Sequence, residues 1–116
     1  MKTIQLTCAH AVVKYLIAQK TLIDEKIVPL FPGVFGIFGH GNVACLGQAL
    51  QENQKDLPTW RGHHETNMAL TGIAYSRAKR RKQIFVATSS VGPGATNMVT
   101  AAAVAMSNRI PIWRFA

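Results

Sequence analysis

An α/β fold, a parallel sheet with flanking helices, is what this sequence predicts, and three observations predict it. Short, continuously apolar runs at Val34–Phe38, Ile84–Thr88 and Ile110–Trp113 suit strands covered on both faces. Between them lie stretches whose apolar residues recur at helical spacing, an alternation that makes parallel strands joined by right-handed crossovers. Finally, Gly39–His40–Gly41–Asn42, His63–His64–Glu65 and Ser89–Asn97 all fall where a strand passes into a helix. They should converge beyond the carboxyl ends of the strands, the edge where such sheets bind ligands.

Taken in order, Thr7–Gln19 reads as an amphipathic helix with apolar Ala11, Val12, Tyr15, Leu16 and Ala18, and Thr7 is a suitable N-cap. Asp24, Glu25, Pro29, Pro32 and Gly33 mark the next stretch as a loop. The strand Val34–Phe38 follows, then a second helix over Val43–Asn53 and a short strand within Leu57–Arg61. A third helix spans about Glu65 to Arg80, with Met68, Ala69, Ile73 and Tyr75 apolar. Gly72 inside it costs about 1 kcal/mol relative to alanine, so close packing is expected there. Ile84–Thr88 is the next strand. The helix Asn97–Ser107 carries Ala101–Ala103 and Ala105, small residues that let another element approach. Ile110–Trp113 opens a further strand.

Composition narrows the class. The chain has 116 residues, 48% hydrophobic and 16% charged, which describes one globular domain and not a disordered tract. No apolar run approaches the ~20 residues of a membrane helix; Val28–Phe38 is interrupted by Pro29, Pro32 and Gly33. No apolar leader with a small-residue cleavage site follows Lys2, so a cytoplasmic chain is expected, with no membrane partner. Cys8 and Cys45 suit buried thiols better than a disulfide framework. Neither Cys8-x-His10 nor His63–His64 has a second pair at ligand spacing, so no metal is expected on these side chains. The net charge of +8 raises nucleic acid as a partner, yet the one dense cluster, Lys79–Arg80–Arg81–Lys82, sits at a helix end. Cations there complement the dipole and stay solvated, and no aromatic residues interleave them. No nucleic-acid partner is expected.

Two features carry chemistry. In Gly92–Pro93–Gly94 the proline fixes φ and the glycines reach backbone angles closed to other residues. Such a stiff turn serves either as an ordinary strand-to-helix connection or as a wall of a ligand site. Glu65, one of five acidic residues, stands at a helix start. It either complements the N-terminal dipole or is a partly buried carboxylate of altered pKa that exchanges a proton with a ligand.

His64–Glu65–x–x–Met68–Ala69, Gly72–x–Ala74 and Thr88–Ser89–Ser90–x–Gly92–Pro93–Gly94–Ala95–Thr96–Asn97 together resemble the pyrimidine-binding domain of thiamine diphosphate-dependent enzymes. The resemblance runs from Thr7 to about Ile112. It implies that Glu65 is catalytic, hydrogen-bonding N1′ of the cofactor's aminopyrimidine and favouring the imino tautomer that activates the thiazolium ring. It also implies that Gly92, Pro93 and Asn97 bind the cofactor with Glu65 and that His40 faces the substrate. Within that family, Ile37–Phe38–Gly39–His40–Gly41–Asn42–Val43, Leu46–Gly47–Gln48–Ala49–Leu50 and Asn108–Arg109–Ile110–Pro111 are similar to the branch that hydrolyses a C–C bond of a cyclic diketone. That reaction yields a deoxy-glucuronic acid in myo-inositol breakdown.

The pattern departs from that branch in two places. His63–His64–Glu65–Thr66 stands where the branch usually has Arg-Asn-Glu-Gln, and Trp113–Arg114–Phe115–Ala116 stands where an apolar strand usually runs into a Pro-Gly-Asp turn. A Gly-Asp-Gly…Asn-Asn motif for diphosphate and Mg2+ is nowhere present. The resemblance therefore implies a truncated N-terminal pyrimidine-binding domain over residues 1–116, incomplete at its C-terminus. It implies that Mg2+ and the diphosphate bind elsewhere in a homodimeric or tetrameric enzyme, that the fragment alone is inactive and that its uncovered sheet makes it poorly soluble. The alternatives are an acetolactate synthase-like carboligase domain, which His64–Glu65 favours, and a non-catalytic fragment that dimerises through the alanine-rich helix.

Overall fold

The computed structural model describes residues 3–115 and contains the expected alternation of helices and parallel strands. Helix α1 (Cys8–Ala18) begins at Thr7, whose hydroxyl accepts from the His10 backbone N–H at 3.2 Å, the N-cap expected. Its inward stripe differs from the one read in the sequence. Val13 and Leu16 are the buried residues, whereas Ala11, Tyr15 and Ala18 are exposed.

The stretch expected to be a loop instead forms an antiparallel hairpin, β1 (Lys20–Ile23) with β2 (Lys26–Pro29). Asp24 and Glu25 both take positive φ, 48° and 63°, the backbone of a type I′ hairpin turn. The ribbon lies apart from the main sheet and leaves Leu22 and Ile27 exposed.

Strands β3 (Val34–Gly36), β4 (Thr59–Arg61), β5 (Val86–Thr88) and β6 (Trp113–Phe115) pair in parallel in the order β4-β3-β5-β6. Val34 faces Thr59 on one side and Val86 on the other, and Val86 faces Trp113. The last strand therefore begins three residues later than the Ile110 start read in the sequence. Side-chain alternation along the strands divides the interior into two cores. Val34 and Val86 pack with Val13, Leu16, Ala49, Leu50 and Leu57. Ala87 packs with Met68, Ala69, Ile73, Met98, Ala101 and Ala105. Burying a side chain such as Leu16 contributes roughly 1.5–3 kcal/mol, so each helix layer is fixed by a few such residues.

After β3 the chain enters α2 (His40–Asn42), a π-helical turn (Val43–Gly47) and α3 (Gln48–Glu52). The second helix thus starts three residues before the expected Val43, and its middle is wider than an α-helix. Helix α4 (Glu65–Ala78) starts where expected. A Cβ on Gly72 would lie 3.1 Å from the Phe85 Cβ, the close packing its presence in a helix required. The last helical stretch is two pieces, α5 (Pro93–Asn97) and α6 (Val99–Ser107), broken at Met98. Ala101 and Ala105 pack α6 against α4. Cys8 and Cys45 are both free and exposed, which corrects the buried thiols expected. Among the described residues no helix is long and apolar enough to cross a membrane.

Candidate functional site

Strand order reverses between β3 and β5, where successive crossovers leave in opposite directions. Such a switch point opens a crevice at the carboxyl ends of the strands. Gly39, His40, Gly41 and Asn42 form one wall of a cleft of about 630 Å³ there, and Ser90 and Val91 the other. Asn42 ties the walls together. Its Oδ1 accepts from the Gly39 N–H at 2.8 Å, and its Nδ2 donates to the Ser89 carbonyl at 2.8 Å. His40 lines the cleft and is exposed; the hydrogen bonds that fix the loop run through Asn42, not through the imidazole.

Beyond Ser90 the chain turns at Gly92, with φ 65° and ψ −122°, a conformation that only glycine adopts without strain. Pro93 then opens α5 at its first position, where a missing N–H costs nothing. Gly94 is buried for a different reason. A Cβ there would collide with the Ser90 hydroxyl and approach Glu65 Oε1 to 3.1 Å. The three residues of the stiff turn therefore have separate tasks: reversal, helix start and close approach to the carboxylate.

Glu65 is the first residue of α4, capped by His64, whose Nδ1 accepts from the Thr66 N–H at 3.2 Å. The Asn97 carboxamide donates to Glu65 Oε2 at 3.0 Å, so the end of α5 meets the start of α4. That hydrogen bond is the main cause holding the Glu65 carboxyl below the ordinary carboxylate range. Its own backbone N–H and, less, His64 add to this, while partial desolvation opposes them. The carboxylate is half-buried and ionised at neutral pH, with Oε1 facing Gly94 and free of Asn97. It can accept a hydrogen bond from a ligand donor or exchange a proton with it. Glu65 thus stands at a helix start, as the first sequence reading had it, and its carboxyl is held below the ordinary range by hydrogen bonds made there.

The structure brings Glu65, Asn97, Gly94 and Ser90 together and puts His40 in the adjoining cleft. Gly92 and Pro93 are exposed and follow Val91 in the chain, outside the lining of that cleft. Sequence reasoning assigned no role to Asn42 or Ser90, nor to Thr66, whose hydroxyl donates to the Asn97 carbonyl. The only signal for Asn42 was its position in a glycine-rich turn, where a short amide side chain can bond local backbone. A second cavity, about 500 Å³ between the π-helical turn and β4, has Arg61 as its one ionisable lining residue, so it lacks the groups for acid–base work. Among the described residues no cluster of three or more His, Cys, Asp or Glu could hold a metal ion.

Compared with known families, residues 32–115 match the thiamine pyrophosphate enzyme, N-terminal TPP binding domain. The chain belongs to this family. The match starts just past the hairpin, so the family's domain takes in the whole parallel sheet and both loops of the cleft. Curated relatives narrow the comparison. The 3D-(3,5/4)-trihydroxycyclohexane-1,2-dione hydrolase of Geobacillus thermodenitrificans is 53% identical over 112 residues, 97% of this chain and 18% of that protein. Proteins of the same name are 49% identical in Clostridium tetani, over 97% of this chain and 17% of theirs, and 44% in Listeria monocytogenes, over 96% and 17%. The chain therefore spans less than a fifth of the length of these relatives.

Proposed function

We propose that residues 1–116 are the pyrimidine-binding part of a thiamine diphosphate-dependent hydrolase. In this reading the enzyme opens the ring of 3D-(3,5/4)-trihydroxycyclohexane-1,2-dione to 5-deoxy-glucuronate in myo-inositol catabolism. The observation that carries it is the Glu65 carboxylate, held by Asn97 and approached by Gly94, beside a cleft at the switch point of the sheet. The residues fit the aminopyrimidine ring: a carboxylate whose Oε1 is not taken by Asn97, and a glycine that leaves room beside it.

When bound, thiamine diphosphate supplies a carbon nucleophile and an electron sink for breaking the C–C bond. Glu65 would hold a proton on its carboxylate for the ring nitrogen N1′, Asn97 would keep that carboxylate oriented, and Gly92 and Pro93 would bind the cofactor with them. His40 faces the cyclic diketone from the opposite loop. Mg2+ and the diphosphate belong to another domain of the longer, cytoplasmic, homo-oligomeric protein. A proton exchange of this kind contributes about 10²–10⁴-fold to rate.

Substrate identity is tested by supplying the longer protein, loaded with thiamine diphosphate and Mg2+, with the cyclic diketone and separately with pyruvate. Formation of the ring-opened deoxy acid is expected. Acetolactate from pyruvate, with the diketone untouched, would overturn the substrate assignment in favour of a carboligase.

A further inference from the structure

Asn97 is gripped at both ends by the first turn of α4. Its carboxamide donates to Glu65 Oε2, and its backbone carbonyl accepts from the Thr66 hydroxyl. This happens where the helix stops: Asn97 is the last residue of α5, Met98 intervenes, and α6 starts at Val99. A carbonyl at such a break is open to a side-chain donor, and Thr66 is the neighbouring donor on α4. Thr66 is itself oriented, since its N–H binds His64 Nδ1. Met98 is fully buried in the core shared with Met68 and Ala69, so the break cannot slide without disturbing the packing.

We propose that Thr66 is a positioning residue, which by holding the Asn97 carbonyl fixes the carboxamide that in turn fixes the Glu65 carboxylate. Without the hydroxyl, Asn97 keeps its place in the chain but loses the tie that sets the direction of its side chain. Thr66 touches neither cofactor nor substrate in this account. The inference rests on the reading of Glu65 as the proton-exchanging carboxylate only for its catalytic meaning; the chain of contacts stands in the protein without ligand.

The test is NMR spectroscopy of the longer protein, isotope-labelled over residues 1–116 only. In the unaltered protein cross-peaks between the Asn97 carboxamide protons and the Glu65 side chain are expected, and their absence would overturn the proposal even without a variant. Thr66→Val should lose the cross-peaks between the Asn97 carboxamide protons and the Glu65 side chain, and should shift the Glu65 carboxyl titration upward. His64, the other titratable neighbour, is followed in the same series. Thr66→Ser, which restores the donor, should return both signals to those of the unaltered chain. Unchanged cross-peaks and an unchanged Glu65 titration in Thr66→Val would contradict the proposal. If these signals move as expected while Glu65→Gln leaves the longer enzyme fully active, the positioning stands and the catalytic reading fails.

Discussion

The two ends of the same parallel sheet are built on opposite terms. At the carboxyl end, side chains cross between elements: Asn42 to Ser89, Asn97 to Glu65, Thr66 to Asn97. At the other end stand Arg77, Lys79, Arg80, Arg81 and Lys82, all exposed, and no carboxylate pairs with them among the described residues. What order exists there comes from side chains that donate to backbone carbonyls: Arg81 Nε and Nη2 to those of Arg109 and Asn108 at 3.0 and 3.3 Å, closing the end of α6, and Gln83 Nε2 to that of Pro29 at 2.8 Å. Arginine thus acts as a cap as well as a solvated charge, one step beyond the solvated cluster read from the sequence. The contrast teaches that side chains meet one another around a carboxylate at one edge, whereas at the other they close helix ends and loops by donating to carbonyls.

The largest expected effect breaks the support of the carboxyl end. Met98 is fully buried between α5 and α6, and Met98→Ala should cost about 2–5 kcal/mol, read as a lowered urea midpoint. A loss under about 1 kcal/mol would mean that the break is not anchored by packing.

An intermediate effect appears on titration. Because Asn97 holds the folded Glu65 carboxyl below its ordinary range, the interaction stabilises the fold above the unfolded carboxylate pKa, roughly 4.3. That stability is lost as pH falls through the depressed folded value. In Asn97→Ala the Glu65 carboxyl should titrate at a higher pH, and the acid limb of the stability curve should flatten. Superimposable curves for variant and parent would remove Asn97 as the cause.

The smallest effect lies at the basic end. Arg81→Ala should cost near the low end of about 0.5–1.5 kcal/mol for its exposed hydrogen bonds, whereas Arg77→Ala should leave the unfolding midpoint within error. Equal losses in the two variants would erase the distinction between capping and solvated arginines.

Much of the carboxyl end was legible because its signals are local. Apolar runs announced the strands, Gly92–Pro93–Gly94 announced the turn, and Glu65 stood at a helix start. What stayed hidden depends on partners distant in sequence or on weak local chemistry. Asp24–Glu25 is a poor advertisement for a turn that needs two positive φ values, since Asn-Gly is the usual signal, so the hairpin was missed. Helix α1 is apolar on too many sides for its pattern to choose Val13 over Tyr15. The break at Met98 lies inside a run of small residues with no proline or glycine to mark it, and the Thr66–Asn97 contact spans 31 positions. Exposure of Cys8 and Cys45 reflects which way a helix turns, not the preference of the thiol for burial.

The central claim, that the Glu65 carboxylate exchanges the proton on which the chemistry depends, is tested most directly by Glu65→Gln in the longer enzyme loaded with thiamine diphosphate and Mg2+. The variant keeps the size of the side chain and removes the exchangeable carboxyl. The account predicts that kcat for opening the cyclic diketone falls by about 10²–10⁴-fold with the fold intact by circular dichroism. A variant turning over at the parent rate would contradict it.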